Sequence, residues 1–284
     1  MSQQIVPYHP LHLAEFHNRN REGVPSPIGD DDFAEFLRDP TRWRQIPSGL
    51  VVPAGQDLAT LPACMQKVYD TAGFKGPKIV VPPLPRITDK QIAALTRFGM
   101  RLFYVPAIGE DAYPDTFVKP VWDKYLTGAQ IERRKLPGKW IAVETIPKCN
   151  WTDPQGYAGG NDPVAAALGL TSRFGISWDN HHARRGTLPR LAKLGNFPKR
   201  GTRFGTAEEV NFVANMFNLL RECHGMSDLP NLGLTDSWEW CGNAYGSGYR
   251  VIVGDRDDGG LAAVGRDWRD NPNGNIGFRV LVQF

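Results

Sequence analysis

The chain has 284 residues, a formal net charge of +3, 41% hydrophobic residues and 22% charged residues, which is typical of a globular protein. No run of about eighteen apolar residues occurs, so we expect no membrane span. The small net charge and scattered basic residues give no reason to expect nucleic acid as a partner. The length suits one large domain or two modest ones.

The first ten residues lack a basic segment followed by an apolar one, so we expect no secretory signal. This favours a cytoplasmic or phage-associated protein, with surface display by other means left open. Cys64, Cys149, Cys223 and Cys241 form no CxxC pair, which disfavours a zinc site. Cys223 falls on the apolar face of a predicted helix and Cys241 follows two tryptophans, so we expect both thiols to be buried.

Residues 1–78 carry only weak signals for regular structure. Acidic residues favour a short helix over residues 32–37, and residues 56–71 hold a second possible helix that is broken by Pro62. We therefore assign residues 1–78 to an N-terminal accessory region whose role the pattern does not define.

From residue 79 onward the patterns are stronger. Residues 79–81 form an apolar strand candidate, and Thr88 with Gln91 has the form of a capping box at the start of a helix over residues 89–98. Residues 101–105 and residues 139–146 are further predicted strands.

Residues 147–205 are rich in Gly, Asn, Asp and Pro, and we predict only one short helix there, Pro163–Leu168, started by Asp162. His181 and His182 are adjacent and so point in different directions. This disfavours a shared metal ion, and we expect a solvent-facing pair in a loop.

Thr206 and Glu209 form a second capping box, and the helix that follows extends to about His224. Apolar residues recur at helical spacing and predict a face packed in the core. These residues are Val210, Val213, Phe217 and Leu220.

The last nine residues, 276–284, have the pattern of an apolar strand, and such a strand needs a partner on at least one side. Residues 139–146 are the best candidate. Pairing these two segments would bring the ends of the domain together.

Three C-terminal segments resemble the end of the C-type-lectin-like fold, in the version shared by formylglycine-generating enzymes and the variable proteins of diversity-generating retroelements. They are residues 232–241 with Trp238-Glu239-Trp240, residues 249–254 with Arg250-Val251, and residues 275–281 with Gly277-Phe278-Arg279-Val280. The resemblance implies an α+β domain over residues 79–284, mixed and largely irregular, with short antiparallel strands and two helices. It also implies that the first and third segments are scaffold.

The enzyme branch of this family has two reactive cysteines just before Gly-Phe-Arg, whereas no cysteine follows Cys241 in this chain. The resemblance therefore favours the variable-protein branch and a protein that is not an enzyme. That branch implies a ligand-binding protein whose C-terminal surface is diversified by adenine-directed mutagenesis. Two alternatives remain open, an oxidase relative of the formylglycine-generating enzymes and an adhesion protein of a phage or cell surface without diversification.

In such systems the adenines of a template, chiefly those of AAC codons, are randomised, and the resulting NNC codons never encode Lys, Glu, Gln, Met or Trp. All charged residues of 243–284 are Arg or Asp, whereas Trp268 departs from the rule. We assign a variable region to residues 243–280.

The side chains expected to bind a protein or another macromolecular ligand are large anchors or adaptable polar groups, and we expect them to face solvent together on one face. They are Asn243, Tyr245, Ser247, Tyr249, Asp255, Arg256, Asp257, Asp258, Arg266, Trp268, Arg269 and Asn273. No cofactor is expected, although Asp255, Asp257 and Asp258 leave calcium possible in principle. The pattern defines neither the ligand nor the oligomeric state.

Overall fold

The computed structural model describes residues 43–45, 51–53, 58, 61–122, 134–224 and 226–284. Helices and strands alternate irregularly along these ranges. The helices are α1 (Leu61–Thr71), α2 (Asp89–Arg97), α3 (Pro163–Leu168), α4 (Trp178–His182), α5 (Thr187–Gly195) and α6 (Ala207–His224). The strands are β1 (Trp43–Gln45), β2 (Val51–Pro53), β3 (Met100–Val105), β4 (Val121–Trp122), β5 (Lys139–Glu144), β6 (Thr202–Phe204), β7 (Trp238–Tyr245), β8 (Tyr249–Val253), β9 (Ala263–Trp268), β10 (Ile276–Gly277) and β11 (Val280–Gln283).

A four-stranded antiparallel sheet has the order β3–β5–β11–β6. The C-terminal strand β11 lies in its interior, where Leu281 is opposite Val143 of β5 on one side and Arg203 of β6 on the other. The predicted pairing of the terminal strand with residues 139–146 is therefore confirmed. An apolar strand at the end of the chain is stable here because it has a partner on both sides.

A five-stranded sheet has the order β10–β7–β8–β9–β4. Its three central strands are antiparallel, but β10 pairs with β7 and β4 pairs with β9 in parallel. The predicted short antiparallel strands are therefore present, together with two parallel pairs that the sequence did not predict. Strand β9 ends near the turn of the β7–β8 hairpin, and residues 269–275 connect it to a position next to the start of β7. Strand β10 therefore begins beside the first residue of β7 and runs parallel to it.

The predicted continuous strand over residues 276–284 is divided between the two sheets. Ile276 and Gly277 pair with β7, whereas Val280 to Gln283 belong to the other sheet. Phe278 and Arg279 form the crossing between the sheets, and both are almost completely buried. This crossing fixes the two sheets against each other at the centre of the molecule.

Both predicted capping boxes are present. The Gln91 amide donates to the Thr88 hydroxyl at the start of α2, and Thr88 N–H donates to the Gln91 side chain. At the start of α6, Thr206 N–H donates to Glu209 and the Glu209 amide donates back to the Thr206 hydroxyl. These reciprocal bonds satisfy amides that would otherwise lack a partner at a helix start.

The helix α6 packs against both sheets. Phe217 meets Phe103 of β3 with ring centroids 5.4 Å apart, whereas Ala207 joins Cys241 and Val251 of the other sheet in a second apolar cluster. Val213, Phe217 and Leu220 are buried and Val210 packs against the second cluster, so the predicted core face is confirmed.

Two further helices, α4 and α5, lie within residues 147–205, and the expectation of two helices is wrong because the described ranges contain six. Ser177 caps α4 by accepting from the Asn180 amide. Asn196 ends α5 in the left-handed conformation, with a φ of 53°. A cap and a left-handed end stabilise helices too short for a strong periodic signal.

Residues 79–81 do not form the predicted strand. The side-chain amide of Gln66 in α1 donates to the Ile79 carbonyl, and its oxygen accepts from the Val81 amide. These bonds take the backbone groups that a neighbouring strand would use, so the segment runs along α1 in an extended form instead.

The helix α1 lies before the predicted domain boundary at residue 78 but belongs to the main core. Leu61, Met65 and Val68 are buried there, and the Tyr69 hydroxyl donates to the Tyr104 carbonyl of β3. The core therefore includes α1, and a separate N-terminal accessory region would have to end before residue 61. The helix expected over residues 32–37 lies outside the described residues.

Candidate functional site

The predicted binding residues lie on and around the β7–β8 hairpin and β9. Six of them gather at the free end of the hairpin, and we call this group the hairpin-end surface. It consists of Ser247, Tyr249, Arg266, Trp268, Arg269 and Asn273.

Tyr249 and Trp268 form the aromatic part of the hairpin-end surface. They are direct cross-strand partners, and their ring centroids are 3.8 Å apart. The Arg266 guanidinium lies 4.7 Å from the Tyr249 ring and 4.5 Å from the Tyr245 ring. Trp268 remains 52% exposed, so a large apolar ring is open to a ligand. Exposed aromatic rings beside an arginine are typical of residues that dominate binding energy at interfaces.

The opposite face of the hairpin carries a second arginine–aromatic group. Successive strand residues point to opposite faces, and accordingly Arg250 lies 4.1 Å from the Trp178 ring of α4. Arg269 forms an ion pair with Asp179 at 2.7 Å and lies 5.7 Å from the same ring. The expectation that all variable positions share one face is therefore wrong, because the hairpin-end surface includes groups on both faces.

Asn273 and Ser247 complete the hairpin-end surface. The Asn273 side chain donates to the Asp267 carboxylate at 3.0 Å, and Asp267 is opposite Arg250 in the sheet. Ser247 is exposed in the turn, where the adjacent Gly248 carbonyl accepts from the Arg269 amide. Residues separated by more than twenty positions in sequence thus contribute to one surface.

Asp255, Arg256, Asp257 and Asp258 lie apart from this surface. They follow the other end of β8, which at about 3.4 Å per residue lies about 14 Å from Tyr249. The Arg256 amide donates to Thr235, and its guanidinium pairs with the adjacent Asp257. These four residues therefore form a separate acidic turn.

Three predicted binding residues are buried, so the expectation that they face solvent is wrong. They are Asn243, Tyr245 and Asp255. The Tyr245 side chain points to the buried face of β7 and packs with Val251 in the second apolar cluster. Asp255 accepts from the Asp257 amide, and burial raises the pKa of its carboxyl. In the described part of the chain, no group of three His, Cys, Asp or Glu side chains is arranged to hold a metal ion.

Asn243 is a structural residue that the sequence pattern did not reveal. Its side-chain oxygen accepts from the Ala207 amide at 2.7 Å, and its side-chain nitrogen donates to Glu208 at 3.0 Å. Asn243 therefore satisfies the first turn of α6 from the neighbouring sheet. This role depends on contacts between distant segments, and the sequence carries no local signal of it.

A buried ionic network lies beneath the sheets and involves the two motifs assigned to scaffold. Arg279 donates to Glu239 at 3.0 and 3.2 Å and to the carbonyls of Glu144 and Ile146. Arg173 pairs with the Glu144 carboxylate. Burial alone would raise the pKa of Glu239, but the positive charges of Arg279 and Lys148 lower it below its ordinary value.

Lys148 extends this network to the start of β7 and the end of β8. Its ammonium donates to the carbonyls of Ser237 and Gly254 at 2.5 and 2.7 Å. Burial lowers the pKa of Lys148 to about 8, although the nearby Glu239 acts in the opposite direction. Lys148 thus fixes the two strand ends that lie farthest from the hairpin-end surface.

The expected solvent-facing histidine pair is wrong for His181. Its ring is buried within α4 against Phe278 and Phe204, with centroids 4.5 and 5.1 Å away. His182 stacks on Trp178 at 3.5 Å. Burial, together with the neighbouring His182, lowers the pKa of His181 to about 3.

Of the two cysteines that were expected to be buried, Cys241 is buried and Cys223 is not. Cys241 is buried and burial raises the pKa of its thiol well above the ordinary value. Cys223 is exposed, so the expectation of a buried thiol is wrong there. It lies in the last turn of α6, beyond Leu220, which is the last buried apolar residue of the helix.

Comparisons with protein families, curated proteins and solved structures find no match to this chain. Within the described ranges no helix is both long enough and apolar enough to cross a membrane.

Proposed function

We propose that this chain is a ligand-binding protein and that its hairpin-end surface recognises a protein or another macromolecular ligand. The observation that carries the proposal is the separation between this surface and the buried ionic network. Trp268 packs against Tyr249, which also meets the Arg266 guanidinium and, at the edge of the second apolar cluster, the Tyr245 ring. The ionic network around Arg279 and Glu239 is buried elsewhere and includes none of these side chains.

We propose further that a retroelement diversifies this surface. A surface of this kind can change its side chains at small cost because few of them fill the core. The residues present also suit recognition, since Tyr, Trp and Arg give contact area and Ser and Asn give adaptable hydrogen bonds. The buried positions Asn243 and Tyr245 are excluded from the set that we expect to vary.

The C-type-lectin-like fold is part of the same proposal. It is supported by the C-terminal strand, which returns to pair with β5, and by the helix α6 between the two sheets. It is also supported by the burial of Glu239 and Arg279 in the two motifs assigned to scaffold.

A matched pair of displayed libraries tests the proposal. The first randomises five residues of the hairpin-end surface with NNC codons, at Ser247, Tyr249, Arg266, Arg269 and Asn273. The second randomises five buried polar residues in the same way. These are Glu144, Arg173, Glu239, Asn243 and Arg279.

We expect most clones of the first library to resist protease as the parent protein does, and few clones of the second to do so. Selection of the first library against several purified proteins should then yield binders with different sequences. Equal protease sensitivity of the two libraries would contradict the separation of surface from scaffold. A folded first library that yields no binder to any target would contradict the recognition role.

A further inference from the structure

A strongly basic segment lies outside the hairpin-end surface. Residues 180–207 contain seven Lys or Arg residues and no Asp or Glu. The whole chain, by contrast, contains nearly equal numbers, 33 basic and 30 acidic residues. The positive charge of the protein is therefore concentrated in this segment.

Four of these basic side chains surround one shallow depression. Arg184 and Arg185 lie between α4 and α5, and Arg190 and Lys193 lie on α5. The depression has a volume of about 470 Å³, and Pro189 is the one other described residue that lines it. We call it the basic depression.

The charges in the basic depression are exposed and largely free. Arg184, Arg185 and Lys193 form no ion pair with any residue that the structure describes. Arg190 donates to the Leu168 carbonyl, which is neutral and leaves its charge uncompensated. Asp179, the acid of α4, is already paired with Arg269. Four like charges held together destabilise the free protein slightly, and an anion would relieve this repulsion.

The start of α5 adds to the positive field. The helix has nine residues, its N-cap is Gly186, and its first turn contains no acidic side chain. The start of a helix carries a partial positive charge, and the start of α5 therefore adds to the positive potential of the neighbouring Arg184 and Arg185.

We propose that the basic depression binds a compact ligand that carries several phosphate groups, as a soluble polyphosphorylated compound or as a lipid headgroup. Guanidinium groups bind phosphate through two parallel hydrogen bonds, and three of the four cations are arginines. A volume of a few hundred Å³ accommodates a ligand of that size.

Two features favour a compact phosphate ligand over nucleic acid. The basic depression is lined by no aromatic side chain on which a base could stack. The helix α5 lies against the protein with Leu188, Leu191 and Ala192 buried, so it does not project as a helix that enters a DNA groove would.

The test measures calorimetric binding of inorganic tripolyphosphate to the full chain. Arg184→Gln/Arg185→Gln removes two charges from the depression. Lys119→Gln/Lys135→Gln removes two charges from exposed lysines elsewhere and is the matched control. We expect about tenfold weaker binding for the first variant and a change below about twofold for the control.

Vesicles of phosphatidylcholine with and without a phosphoinositide identify the source of the phosphate. If the protein floats with phosphoinositide vesicles and tripolyphosphate reverses this binding, the ligand is a lipid headgroup. Tripolyphosphate binding without flotation indicates a soluble ligand. The proposal is overturned if wild type does not bind tripolyphosphate or if both double variants lose affinity equally. It is also overturned if the chain binds duplex DNA that tripolyphosphate does not displace. None of these outcomes depends on whether the hairpin-end surface recognises a ligand.

Discussion

Replacing Arg279 by methionine removes the centre of the buried ionic network while keeping a side chain of similar length. The guanidinium donates two hydrogen bonds to Glu239 and one each to the carbonyls of Glu144 and Ile146. In Arg279→Met these acceptors stay buried without their donor. Removing one partner of a buried ion pair costs about 3–5 kcal/mol, so we expect a loss of that size in the free energy of unfolding.

Urea unfolding followed by tryptophan fluorescence measures this loss. Arg256→Met is the control, because Arg256 is exposed and its one ion pair among the described residues is with its neighbour Asp257. The control should unfold at nearly the same urea concentration as the wild type. A loss below about 1 kcal/mol for Arg279→Met would refute the reasoning, since the network would then not hold the two sheets together.

Three further predictions concern single residues. Asn243→Ala should cost about 1–2 kcal/mol, because it leaves the Ala207 amide without its acceptor. Ser247→Ala, at an exposed position of the turn, should cost less than about 0.5 kcal/mol. Thermal unfolding compares the two variants, and equal losses would argue against the cap. His181→Phe should remove a sensitivity to acid. In the unfolded chain His181 takes up a proton near its ordinary pKa of about 6.5, whereas in the folded chain it stays neutral down to about pH 3. The stability of the wild type therefore falls as the pH drops through this window. Between about pH 7.5 and pH 5 the wild type should lose about 2 kcal/mol more than this variant in urea unfolding, and parallel losses would show that His181 is not held neutral. Trp268→Ser should lower stability by less than about 1 kcal/mol, and a larger loss by the same assay would place Trp268 in the scaffold.

Local patterns in the sequence predicted the elements that depend on neighbouring residues. The capping boxes at Thr88 and Thr206 are present because each is completed within three residues. The pairing of the terminal strand with β5 also followed from the sequence, because an apolar strand at the end of a chain requires a partner.

Contacts between distant segments account for the predictions that failed. Gln66 takes the backbone groups of Ile79 and Val81 from a helix thirteen to fifteen positions away, and this prevents the expected strand. Asn243 was placed on the variable surface as an adaptable polar group of residues 243–280, but its side chain bonds to the start of α6, 36 positions earlier in the chain. A sequence pattern contains no local trace of such bonds.

The hairpin-end surface was predicted in part. Tyr249, Arg266 and Trp268 are brought together by the β8–β9 register, which the composition of residues 243–280 could not give. Tyr249 lies on the same face as Val251 and Tyr245 and packs against the second apolar cluster, whereas Trp268 at the end of β9 is 52% exposed. Deciding which residues of a variable region face solvent therefore required the sheet.

The DNA around the gene tests the central claim most directly. If a retroelement diversifies the chain, sequencing should find a near-copy of the codons for residues 243–280 beside a reverse transcriptase gene, with differences at adenines. We predict that these differences fall in codons of the hairpin-end surface, such as those for Tyr249, Arg266, Arg269 and Asn273, and spare the codons for Asn243 and Arg279. Absence of such a copy, or differences concentrated at the buried positions, would contradict the account.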